Sequence, residues 1–338
     1  MKPTVLVASS AYQKGQAVFR TAGDIDFRGV AEKENVLAAE VKNCGVRAVV
    51  VGVEPYRGPL FEALAQTAAG QPSLIARFGV GHDSVDKSLA RLHAIIVTNT
   101  PGVLDDSVAE HTLWLLGNLA KQINRQDLRV RQGIWNSATG VELRGKTLAV
   151  IGFGAIGRRV AVAAHFGFGM RVVAVGARPM EEFRRREIRP LEEILAATGT
   201  DEYTDDLTAA LTQAYAVTLH APASAATRHL INRERLEQFR SGALLINTSR
   251  GALVDEEALY DALASERLGG AALDVFTNEP YQPVVAEKDL RNLDNTLLTP
   301  HISSNTVEAN RRMAESVLES VRNFLGGKLE ALPRVKYV

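Results

Sequence analysis

Cysteine is nearly absent from this chain: Cys44 is the one thiol in 338 residues. That excludes an internal disulfide and any cysteine-based zinc cluster, and a reducing, cytoplasmic compartment is expected. An excess of charge of either sign is also missing, with 39 Lys+Arg against 39 Asp+Glu. A balanced chain gives no electrostatic footing for nucleic acid or a membrane surface, and neither is expected as a partner. Long apolar runs are missing too. The opening MKPTVLVASS has one lysine and then a five-residue apolar run. That is too short for a signal-peptide core and reads as a first strand. No run approaches the roughly 20 residues that span a bilayer.

What is present is ordinary for a globular protein: 46% hydrophobic and 23% charged residues, in a chain long enough for two domains with separate cores. Short apolar runs alternate with helical patterns. Strands are predicted at 4–8, 48–51, 74–76, 95–98, 147–151, 172–175, 216–219, 243–247, 270–273 and 296–298. Such alternation argues for parallel sheets covered by helices. Two long helices are expected to join two units. One spans 107–122, with Val108, His111, Leu115 and Leu119 at helical spacing. The other spans 307–324, with Met313, Val317, Val321 and Phe324, and stops at Gly326-Gly327.

The most informative stretch is KTLAVIGFGAIGRRVA at 146–161. A buried strand breaks at Gly152, and Gly154 and Gly157 complete G-x-G-x-x-G before a helix. The first glycine allows a sharp turn, the second a close approach of pyrophosphate, and the third tight helix–strand packing. The free amides and dipole of the new helix then face the phosphates. A bare G-x-G-x-x-G is weak evidence, but the strand before and helix after supply the required context. Ala155 and Ile156 fall inside the turn.

Three later segments end a strand with a reactive side chain. Arg250 follows the run at 243–246, Asp274 and Glu279 follow 270–273, and His301 follows Pro300. In open α/β sheets ligands bind beyond the carboxyl ends of the strands, so these four side chains are candidates for one crevice. Singly, each has a plain alternative as a loop or solvated residue. The remaining histidines, His82, His93, His111 and His165, lack ligand-like spacing and read as structural, so no metal is expected.

Here the chain resembles the D-isomer-specific 2-hydroxyacid dehydrogenases. The resemblance is carried by ARFGVGHDSVD at 76–86, VTNTPGVLDDSVAEHTL at 97–113, IGFGAIG at 151–157, TLHAP at 218–222, NTSRGALVDEEAL at 247–259, ALDVFTNEP at 272–280 and LTPHISS at 298–304. It implies a Rossmann nucleotide domain at 103–303 and a discontinuous flavodoxin-like substrate domain at 1–102 and 304–338. It also implies a homodimer built mainly through the nucleotide unit. By the same resemblance Arg250 holds the substrate carboxylate and polarises its carbonyl, which suits a planar two-pronged cation. His301 is the general acid/base and Glu279 the carboxylate that favours its imidazolium. Phe78 and the backbone of Val80 and Gly81 receive the substrate. The start of the first long helix at 107–110, with Val108, lines the nicotinamide pocket. His220, Ala221, Pro222, Thr227, Thr248, Ser249 and Asp274 lie along the cofactor.

NAD-specific members carry an acid at the end of the second nucleotide-unit strand, where it accepts from the ribose hydroxyls. Here that strand runs into Gly176-Ala177-Arg178. Nothing at Gly176 repels a 2′-phosphate and Arg178 offers it a cation, so NADP is expected ahead of NAD. The mixed-charge run EEFRRREIRPLEE reads as a solvated helix, and the stretch 281–295 as somewhat long for the family. The expected function is a reductase of small 2-oxo acids such as glyoxylate or hydroxypyruvate. A short-form phosphoglycerate dehydrogenase is the nearest alternative. A dinucleotide-sensing regulator on the same scaffold and an NAD-using hydrolase are further ones, the hydrolase opposed by the Arg250, Glu279 and His301 set.

Overall fold

The computed structural model describes residues 2–176 and 189–336. The chain forms two compact units, Met1–Leu104 with Asn305–Val338, and Asp105–Ser304. No helix among the described residues is long and apolar enough to cross a membrane.

The first unit contains β1 (Thr4–Ala8), β2 (Asp26–Val30), β3 (Ala48–Val51), β4 (Ser73–Arg77) and β5 (Ile95–Thr98). All pair in parallel, in the order β2-β1-β3-β4-β5. This is the doubly wound order of flavodoxin-like sheets. Leu6, Val49, Val51, Ile75, Ile95 and Val97 from these strands join one core cluster with Leu37, Val41, Leu60, Phe61 and Leu64. The helix Val307–Leu325 buries Met313, Val317, Val321 and Phe324, the apolar stripe expected from the sequence, and is capped by the Thr306 hydroxyl on Ala309 N. It packs against β4 and the helix Ser9–Phe19.

The second unit contains β6 (Thr147–Ile151), β7 (Arg171–Val175), β8 (Glu202–Thr204), β9 (Ala216–Leu219), β10 (Ala243–Asn247), β11 (Leu268–Leu273) and β12 (Thr296–Leu298). They form one parallel sheet in the order β12-β11-β10-β9-β6-β7-β8. The order reverses between β9 and β6, which is the switch point of a Rossmann sheet. Successive side chains divide between two cores, as period-2 geometry requires. Ala149, Ile151, Val173, Val175, Val217 and Leu219 face one. Leu148, Val150, Val172, Ala174 and Ala216 face the other.

The two-sheet architecture agrees with the sequence reading, with three differences. Strands β2 and β8 escaped it. Both are edge strands, and DFRGV buries only Phe27 fully while EYT buries only Tyr203. The first long helix is Asp105–Lys121, and a second, Ile123–Arg131, follows after Gln122 turns left-handed at φ 55°. Each long helix also packs within one unit: Asp105–Lys121 against β10, β11 and the helix Ala155–Val162, Val307–Leu325 within the first.

Candidate active site

Three neighbouring strands of the second unit, β10, β11 and β12, end in the charged candidates. After β10 the chain turns at Asn247, which is fully buried. Its Nδ2 donates to Arg250 O at 2.8 Å and its Oδ1 accepts from Ser249 N at 3.0 Å. A built-in side-chain amide thus fixes the turn carrying Arg250, whose Nη1 donates to Ser249 O at 2.6 Å.

After β12 comes His301, held in the left-handed region at φ 52°. A non-glycine residue stays there only when its surroundings over-determine it. The buried Asp274 carboxylate, at 0% exposure, does this. It accepts from Thr299 Oγ1 at 2.6 Å, Ile302 N at 2.8 Å and Ser303 N at 2.8 Å. His301 N itself donates to Asp274 O at 2.9 Å. What the structure shows Asp274 doing is clamping the His301 loop.

His301 Nδ1 lies 2.7 Å from Glu279 Oε2, and Glu279 Oε1 accepts from Phe276 N at 3.0 Å. Burial alone would raise the Glu279 pKa. The His301 hydrogen bond and charge, the Phe276 amide and the Arg250 guanidinium outweigh it, and the carboxyl is held below its ordinary value. Glu279 is therefore ionised at neutral pH. The ring nitrogen facing it carries the proton, and the opposite edge, Nε2, is left for other chemistry.

Sequence reasoning missed Asn247, and it read His111 as structural without naming its partners. His111 Nε2 sits 3.3 Å from Thr299 Oγ1 and 3.7 Å from Asp274 Oδ1. Because Thr299 donates to Asp274, it accepts from His111, which puts a proton on Nε2. Burial lowers the His111 pKa and Asp274 opposes that shift. The available signal was a histidine on an apolar helical stripe.

The glycine turn follows β6. Gly152 is left-handed at φ 98° and lies against the backbone of His220 and Ala221, where a Cβ would collide. A Cβ on Gly157 would strike Gly152 O, while one on Gly154 would point into open space. The helix Ala155–Val162 starts there with no side-chain cap, so its first amides are not taken by a side chain. Ile156 packs on the adjoining core. The next strand end, after β9, supplies His220, Ala221 and Pro222. Burial pushes the His220 imidazole well down, so it is neutral, and its Nε2 is 3.0 Å from Thr218 Oγ1. Ser249 Oγ donates to Ala221 O, and Thr227 Oγ1 to Pro222 O at 2.6 Å. Thr248 Oγ1 is 2.9 Å from Thr112 Oγ1, which also donates to Val108 O at 2.8 Å.

Gly176 follows β7 directly, and a Cβ there would meet the Tyr203 hydroxyl. Ala177, Arg178 and most of the charged run lie outside the described residues. Phe78, Val80 and Gly81 belong to the first unit, in a turn where Asn99 Nδ2 donates to Val80 O at 2.8 Å. The stretch 281–295 is tied down: Lys288 Nζ bridges Glu257 and Asp261 at 2.9 Å each, and Tyr281 Oη accepts from Leu290 N at 3.0 Å.

The NAD-binding-domain model of the D-isomer specific 2-hydroxyacid dehydrogenases matches residues 113–303. A glyoxylate reductase of Korarchaeum cryptofilum is 34% identical, covering 97% of this chain and 95% of its own. The D-lactate dehydrogenase of Aquifex aeolicus, solved with NAD and lactic acid, superposes with a TM-score of 0.79 at 29% identity and 96% coverage of both chains. An NADPH-dependent glyoxylate/hydroxypyruvate reductase of Sinorhizobium meliloti superposes at 0.78 with 28% identity, covering 99% of this chain and 98% of its own.

The Asp274 clamp makes a direct prediction. Asp274→Ala leaves two amides and a hydroxyl without their acceptor, which should cost on the order of 3 kcal/mol or more in urea unfolding. Asp274→Asn keeps one acceptor oxygen and should lose less. A loss under about 1 kcal/mol for the alanine variant would show that the loop does not depend on this carboxylate.

Proposed function

Because the chain belongs to the D-isomer specific 2-hydroxyacid dehydrogenase family, and so interconverts 2-hydroxy and 2-oxo acids with a nicotinamide dinucleotide, we propose that it is a reductase of small 2-oxo acids of the glyoxylate and hydroxypyruvate class. The observation that carries the reading is the 2.7 Å contact between His301 Nδ1 and an ionised Glu279, with Arg250 near enough to act on the same carboxylate.

The glycine turn suits the cofactor. An open position at Gly154 and uncapped helix amides make room for a pyrophosphate, with Gly152, Ala155, Ile156 and Gly157 around it and 220–222, Thr227, Thr248 and Ser249 alongside. When bound, the nicotinamide supplies the hydride. This chain's residues do the rest. Arg250 pairs with the substrate carboxylate and draws charge toward the carbonyl oxygen. His301, hydrogen-bonded through Nδ1 to Glu279, gives that oxygen a proton from Nε2. On the family resemblance we also assign the turn with Phe78, Val80 and Gly81 to the substrate. The unit of Asp105–Ser304 is the nucleotide domain on this reading and the other unit the substrate domain.

A homodimer fits the second unit's surface. Its helix Ile123–Arg131 buries no residue, and Trp114 and Trp135 are 74% and 91% exposed near Ile123, Leu128, Val130 and Ile134 in sequence. So many exposed apolar side chains within one stretch of sequence support an interface there. The free, exposed thiol of Cys44 suits a reducing cytoplasm.

Five measurements test these assignments. His301→Ala should lower turnover by about two to four orders of magnitude with cofactor affinity nearly intact. An unchanged rate would remove His301 from the mechanism. In Glu279→Gln the alkaline fall-off of the reduction rate should move to lower pH, because a neutral amide no longer favours the imidazolium. In the unmodified protein the pair should persist as pH falls through the ordinary glutamate range, since Glu279 titrates below it.

For the cofactor, we assign NADP. A side chain at Gly176 would meet the Tyr203 hydroxyl unless that ring shifts, and Arg178 supplies a fork for a 2′-phosphate. A charged hydrogen bond there is worth about 1.5–3 kcal/mol, on the order of ten- to a hundredfold in kcat/KM for NADPH over NADH. Arg178→Ala should shrink or reverse that preference. Equal or better use of NADH with a silent Arg178→Ala variant would overturn the assignment. Sedimentation at micromolar concentration should give a dimer, and Leu128→Asp with Val130→Asp a monomer. A monomeric unmodified protein would refute the interface.

A further inference from the structure

One carboxyl close to the candidate active site has no part in the reaction described so far. Glu256 opens the helix Glu256–Ala264 and is only 6% exposed. A carboxyl taken out of water needs compensation. Its Oε1 accepts from Thr277 N, while its Oε2 is buried and meets no hydrogen-bond partner among the described residues. Thr277 lies in the turn between Phe276 and Glu279. Phe276 N is itself bound by Glu279 Oε1. On the other side of the turn Gly251, next to Arg250, is packed so closely that a Cβ would collide with the Phe276 carbonyl.

The same helix holds the chain beyond the turn. Lys288 bridges Glu257 and Asp261, and the Tyr281 ring packs 4.7 Å from that of Phe276. The turn 276–279 is thus gripped at Phe276 from Gly251, at Thr277 from Glu256, and downstream through Tyr281 and Lys288. Only the Glu256 grip acts on the amide between the two residues whose relative position aims Glu279 at His301.

We infer that Glu256 is a positioning residue for the reaction: by accepting the Thr277 amide it fixes the 276–279 turn, and so the direction in which Glu279 presents its carboxylate to His301. The inference rests on the reading of His301 and Glu279 as the proton-delivering pair. The ionisable groups around Glu256 are Asp255 on its own helix, and Glu279 and Tyr281 on the facing segment. Burial raises the Glu256 pKa, the Thr277 contacts oppose, and Glu279 and Asp255 add to the rise. Two neighbouring carboxyls are therefore driven apart, with Glu279 the one that stays charged.

Glu256→Gln keeps an acceptor for Thr277, whereas Glu256→Met keeps the length and loses the acceptor. A misaimed catalytic group costs up to about a hundredfold. Glu256→Met should therefore lower kcat about ten- to a hundredfold, with KM for glyoxylate and Kd for NADPH changed by no more than about twofold. Glu256→Gln should stay within about threefold of the unmodified enzyme. The alkaline limb of the rate profile, and the His301 imidazole titration followed by ¹⁵N NMR, should both move to lower pH in the methionine variant only. A merely structural role would reduce the folded fraction and leave both unmoved. Unchanged kcat in Glu256→Met, equal losses in both variants, or a lost rate with an unmoved His301 titration would each overturn the inference. Should Glu256→Met not fold, the unmodified protein decides: rapid hydrogen exchange at the Thr277 amide would overturn it, and protection retained in Glu256→Gln would support it. If His301→Ala keeps full turnover, the proton-donor reading fails, yet the NMR titration still reports whether Glu256 aims Glu279.

Discussion

The Asp274 carboxylate is the constraint on which the rest of the candidate site depends. It is fully buried, which would be costly for a lone charge, and it survives by collecting donors. Those donors all come from 299–303, the segment that carries His301. The desolvation that makes the carboxylate expensive also strengthens each of its hydrogen bonds. One side chain at the end of β11 thereby determines the backbone at the end of β12. The left-handed conformation of His301 follows, and with it the approach of its Nδ1 to Glu279. Asn247 does the equivalent work one strand further along, using a neutral amide to shape the Arg250 turn.

Much of this was legible before any coordinates. A strand buried on both faces is a continuous apolar run, and ten of the twelve described strands are apolar in most of their residues, as parallel sheets that hide both faces require. The same logic explains the failures. DFRGV and EYT lie at sheet edges, carry charge, and give no such run. The break at Gln122 depends on one backbone torsion that no residue type demands. The glycine turn was legible because close approach leaves a mark in the sequence: where backbone meets backbone, as at Gly152 and Gly157, only glycine fits.

The roles of Asp274, His111 and Glu256 were not legible in the same way. Each depends on partners 21 to 188 positions away, and only the folded sheet brings them together. Sequence could mark Asp274 as an acid past a strand. It could not show that the acid faces inward to amides of 302 and 303. His111 fell on a buried helical stripe, where a polar residue must find a partner. That stripe predicted burial, and the partner's identity came from the register of the helix on β11 and β12.

The strand order explains how one sheet can serve two incompatible tasks. A dinucleotide's phosphates are best met by backbone amides with no competing carboxylate, whereas proton delivery to a carbonyl needs a cation kept charged by an acid. The order β12-β11-β10-β9-β6-β7-β8 separates them. The ends of β6 and β7 present glycines, and β9 between the halves ends in a histidine that burial keeps neutral. The ends of β10, β11 and β12 present Arg250, Asp274, Glu279 and His301. Within that charged half the two glutamates diverge again: Glu279 is held ionised by His301 and Arg250, and Glu256 is pushed toward its neutral form by burial. A second ionised carboxylate beside Glu279 would compete for the positive charge of Arg250 and His301. Burying Glu256 against the Thr277 amide retains its hydrogen bond while weakening its claim on that charge, as the proposed pairing of Arg250 with a substrate carboxylate requires.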